Sequence, residues 1–198
     1  LVRNLVYEII YLKVYSITGL GSSFVFIIDD RSSDSLTSSI GTAWRLVTDG
    51  VMGGLSKGTL RPDRLEDRAC LRLIGDVTLQ NNGGFIQMAL DLAEQGETEF
   101  SSYTGLELSV YGNGEPYNVH LRTGDLKLPW QSYRSTLVAT PSWQTLRLPF
   151  RAFTPHRTSA PLDLSKLRRI ALVAIGKAFH ADVCLGGVAL YSEPASHK

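Results

Sequence analysis

The sequence predicts an all-β protein, a β-sandwich, and three observations carry that reading. From Phe24 onward, short runs place apolar residues at every second position. Turn-forming pairs rich in Gly, Asn, Asp and Pro separate those runs, and no repeated crossover helix intervenes. Glycine supplies 18 of the 198 residues, above the average of about 7%, as a chain with many turns requires.

Taken in order, the expected strands are 24–28, 44–48, 69–74, 84–90, 106–111, 117–123, 132–138, 143–148, 169–175 and 181–191. Leu71 with Leu73, Leu106 with Leu108 and Val110, and Tyr117 with Val119 and Leu121 each put their apolar groups on one face. That alternation is the mark of a half-buried antiparallel strand. Asp49-Gly50, Asn82-Gly83, Gly112-Asn113-Gly114 and Pro141-Ser142 stand between runs, and the Asn-Gly and Asp-Gly pairs read as tight hairpin turns. A short helical turn is expected over 163–167, with Asp163 as its cap after Pro161. The sandwich domain is assigned to 24–192, with a tail over 193–198. Residues 1–23 form an apolar extension that Glu8 and Lys13 interrupt, too short of uninterrupted apolar length to span a bilayer and a poor fit to a signal peptide.

Charge and cysteine content exclude several classes. Twenty basic against nineteen acidic residues leave a net charge of +1, which argues against a nucleic-acid binder. Cys70 and Cys184 are too few for a disulfide scaffold or a cysteine zinc site and read as buried thiols in a reducing compartment. The acidic stretch 91–115 and the basic stretch 151–177 could give a dipolar surface. Asp29, Asp30 and Asp34 could ligate a calcium ion, but they read better as a solvated acidic loop. His120, His156, His180 and His197 show no metal-ligand spacing, so neither metal nor cofactor is expected. Gly54-Leu55-Ser56-Lys57-Gly58 fits the G-x-S-x-G pattern of a hydrolase, but a strand follows Ser56 where that chemistry needs a helix. The chain therefore reads as non-catalytic.

Four segments together carry a family resemblance. One runs from Trp44 through Asp49, Gly50, Met52, Gly53 and Gly54 to Ser56; the second is Asn81, Asn82, Gly83, Gly84 and Phe85. The third runs from Tyr103 through Gly105 to Leu108, and the fourth from Trp143 through Pro149 and Phe150 to Phe153 and Pro155. In this order and spacing the chain resembles the complex I intermediate-associated protein 30 domain. The resemblance implies a galactose-binding-domain-like jelly roll related to carbohydrate-binding modules, without known catalytic residues. It also implies a part in assembling NADH:ubiquinone oxidoreductase, with respiratory subunits or assembly intermediates as protein partners. The short form is similar to bacterial members, which implies a cytoplasmic monomer, or a mitochondrial protein if the source is eukaryotic.

The motif residues have a reading of their own. The segment from Asp49 to Ser56 is either a turn packed on the sandwich by Val51 and Met52 or a cradle for a ligand. Trp44, Trp143, Phe150 and Phe153 are expected in the core. Valine at Gly83 or Gly84 should destabilise the turn, because one of them is expected at positive φ. For binding, alternation puts Asn118, His120 and Arg122 on the face opposite Tyr117, with Arg134 on a neighbouring strand and Trp130 and Tyr133 near the rim. These donors suit carboxylate, hydroxyl or backbone oxygen acceptors on a protein, or alternatively a carbohydrate stacked on exposed rings. Arg122→Ala is expected to weaken binding with little loss of fold.

Overall fold

Alternation of buried and exposed side chains builds twelve strands among the residues that the computed structural model describes, 24–93 and 99–193. They are β1 (Val25–Asp29), β2 (Trp44–Thr48), β3 (Lys57–Leu65), β4 (Arg68–Val77), β5 (Phe85–Asp91) and β6 (Gly105–Gly112). The second half adds β7 (Pro116–Thr123), β8 (Ser132–Val138), β9 (Gln144–Pro149), β10 (Thr154–His156), β11 (Leu167–Ile175) and β12 (Phe179–Tyr191). All ten expected runs form strands. The strand expected after Ser56 forms as β3 and continues through Pro62, whereas the three-residue β10 has no expected counterpart. Proline is tolerated in β3 because that strand is a sheet edge. The short turn at Leu164–Lys166 is capped by Asp163, whose carboxylate accepts from the Ser165 N–H at 3.0 Å. The expected extension 1–23 lies outside the described residues.

Two antiparallel sheets face each other. The first has the order β3-β4-β12-β6-β9, with β1 also paired to β12; the second has the order β10-β8-β7-β11-β5-β2. Leu71, Leu73, Leu106 and Leu108 of the first sheet meet Ile86, Met88, Tyr117, Val119, Leu121 and Leu172 of the second in one buried core. Trp44 closes that core, with 1% of its surface exposed. No helix among the described residues is long and apolar enough to cross a membrane.

The separators are not hairpins, the Asp-Gly and Asn-Gly pairs expected to be hairpin turns included. Asp49-Gly50, Asn82-Gly83, Gly112–Gly114 and Pro141-Ser142 each carry the chain from one sheet to the other. Turn residues permit reversal, but which strand then pairs is decided by packing of the two sheets. The tight hairpin is instead β3–β4, turned by Glu66 and Asp67 at φ of 49° and 61°.

Other expectations are corrected as well. Trp143 lies on the outside of the first sheet, 5.7 Å from Tyr111 and under the Arg68 guanidinium at 4.4 Å; its indole N–H donates to the Leu65 carbonyl. Phe150 and Phe153 are buried as expected. Asp29 is no solvated acid: it is 2% exposed and ion-paired at 2.7 Å with the buried Arg31. Asp30 accepts from Ser32 and Ser39. Two ion pairs join the acidic and basic stretches, Asp91 with Arg169 and Glu115 with Lys177. Cys70 and Cys184 are both buried and free.

Candidate functional site

The outer face of the second sheet is built by strand register. Thr154, Arg134, His120, Ala171, Ala89 and Arg45 align in one row across six strands. Beside it runs Thr136, Asn118, Val173, Gln87 and Val47, and on the other side Arg122, Arg169 and Asp91. Residues in register share a face, so these rows form a trough. Its floor is Ala89, Ala171 and Val173, each at most 3% exposed because longer neighbours stand around them. Four arginines and two histidines share this face and its edge with Asp91, which pairs with Arg45 and Arg169.

The sequence-derived site divides accordingly. Asn118, His120, Arg122 and Arg134 do share the outer face, whereas Tyr133 does not. Tyr133 stands opposite the core residue Leu121, is 1% exposed, and donates its hydroxyl to the Pro161 carbonyl at 2.8 Å. It neighbours Arg134 along the strand, and adjacent residues point to opposite faces. Trp130 is 47% exposed on the β7–β8 loop at the Arg122 end of the face.

Arg122 has a different task from the one expected. Its guanidinium donates to the carbonyls of Leu126, Leu128, Pro129 and Gln131 at 2.6–3.3 Å, so it holds the loop that carries Trp130. Burial, and then the charges of Arg169 and Arg168, hold its pKa below the usual arginine value. Arg122→Ala should therefore cost stability, on the order of 1–3 kcal/mol for the lost charged hydrogen bonds. It should also speed tryptic cleavage after Lys127; a cleavage rate and denaturation midpoint equal to wild type would show the strut to be dispensable.

Arg134 and His120 are less satisfied. The Arg134 Nε donates to Ser132 Oγ at 2.9 Å, and the guanidinium has no carboxylate partner among the described residues. Burial, and then Arg157, lower its pKa. The buried His120 Nε2 has no hydrogen-bond partner among the described residues. Burial above all, then Arg134 and His156, push the imidazole down to about 3, so it is neutral at physiological pH.

A second cluster explains the glycine-rich motifs. The Asp49 carboxylate is fully buried and accepts from Ser56 N at 3.0 Å, Ser56 Oγ at 2.5 Å, Gly84 N at 2.5 Å and Phe85 N at 3.2 Å. One side chain thus ties the β2–β3 crossover to the β4–β5 crossover. The buried Ser56 hydroxyl donates to Asp49 and accepts from Thr78 N. Gly54 and Gly83 lie against this carboxylate, where any Cβ would overlap it; at Gly83 the approach would be 2.5 Å to Oδ2. Gly84 carries the positive φ, 140°, and Asn81 and Asn82 stand at 55° and 56°. Gly50 N donates to Thr48 Oγ1, and Gly53 closes the turn at φ 87°. Val51 and Met52 do not pack the turn down: they are 74% and 58% exposed, and the carboxylate does that work. Gly83→Ala should destabilise by about 1–3 kcal/mol through this overlap. An unchanged urea midpoint would contradict it.

The comparisons follow the same motifs. The family profile of complex I intermediate-associated protein 30 matches residues 29–183. The chain belongs to that family. Among curated proteins no relative matches. Of solved structures, the family 11 carbohydrate-binding module from Clostridium thermocellum, in complex with a beta-1,3-1,4-mixed-linked tetrasaccharide, superposes with a TM-score of 0.68 at 12% identity, covering 91% of this chain and 100% of that one. The family 30 module of cellulosomal cellulase Cel9D-Cel44B, from the same organism, gives 0.61 at 18% identity, covering 85% and 98%. These likenesses show that the two-sheet antiparallel sandwich of this family member is a fold shared with carbohydrate-binding modules.

Proposed function

We propose that this complex I intermediate-associated protein 30 family member is a non-catalytic, monomeric protein-binding module for complex assembly, with respiratory-complex subunits or assembly intermediates as partners. Its binding surface is the outer face of the second sheet. One observation carries the choice of a protein over a sugar: the floor of that face is aliphatic and its walls cationic, with no flat exposed ring on the strands apart from half-buried Phe85 at one end. A sugar reader would place an aromatic platform there. The buried free thiols suit a reducing compartment, the bacterial cytoplasm or, in a eukaryote, the mitochondrion.

Affinity capture from the native cell followed by mass spectrometry tests the reading. Respiratory subunits or their assembly intermediates should be recovered; retention on a polysaccharide resin with no protein recovered would sink it. The carbohydrate reading rests on the exposed Trp130 at the end of the face and on the tetrasaccharide in the similar family 11 module. If it holds, Trp130→Ala should abolish that retention.

A further inference from the structure

The trough holds one feature that no requirement of the fold explains. Arg134 and His120 stand opposite each other on β8 and β7, with Thr154 beyond Arg134 and Ala171 beyond His120. Elsewhere on this face the arginines have hydrogen-bond partners. Arg45 and Arg169 share Asp91, and Arg122 is enclosed by loop carbonyls. Of the four arginines in these rows, Arg134 is the one whose terminal guanidinium nitrogens both lack a hydrogen-bond partner among the described residues. A half-buried guanidinium with a free planar fork is the geometry that receives a carboxylate through two parallel N–H···O bonds.

The neighbouring residues agree with that charge. His120 Nε2 is buried and has no hydrogen-bond partner among the described residues, and the Arg157 guanidinium adds positive charge from the β10 side. The alanine floor continues from His120 to Arg45, four strand spacings from Arg134, or about 19 Å. An extended chain of about six residues covers that length. We propose that Arg134, supported by His120, binds a side-chain carboxylate of an extended acidic segment of the partner protein, laid along the trough over Ala171 and Ala89. The proposal rests on the protein-binding reading of this face and names the chemistry that the face selects.

The test uses a fluorescein-labelled hexaglutamate peptide titrated against the whole chain at low salt, with oligogalacturonate and an uncharged mixed-linkage glucan as comparison ligands. Wild type should bind the peptide, Arg134→Gln at least tenfold more weakly, and Arg134→Lys in between, since lysine keeps the charge but loses the fork. His120→Asn should weaken binding by a smaller factor. Far-ultraviolet circular dichroism and urea midpoints confirm that each variant is folded, and added salt should weaken the wild-type complex. Equal peptide binding by wild type and Arg134→Gln would overturn the assignment, and so would no peptide binding at all. Oligogalacturonate binding without peptide binding would overturn the protein source. The two readings fail separately: native partners captured equally by wild type and Arg134→Gln would remove the carboxylate site and leave the protein-binding function standing.

Discussion

Replacing Asp49 by alanine should be the most damaging single change in the sandwich. The substitution strands three backbone N–H groups, those of Ser56, Gly84 and Phe85, and leaves the Ser56 hydroxyl only the Thr78 carbonyl as acceptor. Each buried donor left without an acceptor costs about 1–3 kcal/mol. Even partial relaxation leaves a loss of about 3–5 kcal/mol, a large share of the roughly 5–15 kcal/mol that holds a domain folded. Asp49→Asn keeps the size but turns an amide N–H₂ toward donors, so it should also be severe. The effect carries a pH signature. Burial alone pushes the Asp49 carboxyl up, but the hydrogen bonds from Ser56, Gly84 and Phe85 outweigh it and hold its pKa below the ordinary value of 3.8. A depressed folded-state pKa means that the stabilisation is fully present above the unfolded-chain value and fades as pH falls through the folded one. Wild type should therefore lose stability on acidification below pH about 4 more steeply than Asp49→Asn. Urea denaturation of both proteins between pH 2.5 and pH 7 (~ values bracketing the aspartate range) measures this, and parallel curves with a difference under about 1 kcal/mol would refute the role given to this carboxylate.

Asp29→Ala should follow closely. Asp29 receives Arg31 Nη1 at 2.7 Å, the Arg31 N–H at 3.0 Å and the Trp44 indole N–H at 2.7 Å, and both charged residues are buried. Removing one partner of a buried pair leaves an uncompensated charge, at about 3–5 kcal/mol. Arg31 also donates to the Ser33 and Ser35 carbonyls, so the segment between β1 and β2 should loosen with it. Hydrogen exchange over residues 30–43 should accelerate. The double replacement Asp29→Ala/Arg31→Met should recover part of the loss, because it removes the stranded guanidinium. A double variant no better than the single one would show that the ion pair is not what Asp29 supplies.

The amino-acid sequence by itself determined the strands and the faces of most of them. Period-2 patterns in Leu106–Val110 and Tyr117–Leu121 depend only on backbone geometry and on whether a side chain prefers water, so they are local facts. The same arithmetic put Asn118, His120 and Arg122 on one face, and the spacing of the glycine motifs carried the family. Tyr133 was also within reach of that rule, since its parity in β8 opposes Arg134. Pairing between distant segments was not legible. Whether Asn82-Gly83 closes a hairpin or crosses between sheets depends on which strands lie beside β4 and β5, and those strands come from elsewhere in the chain. The partners of polar groups were equally hidden. Asp29 reads as a solvated acid until Arg31 and Trp44 enclose it; Arg122 reads as a free cation until the 126–131 carbonyls close around it. Arg134 differs from Arg122 only in having no such carbonyls within reach. A charged side chain's role is set by what completes its hydrogen bonds, and across this sandwich those groups are supplied by tertiary contact.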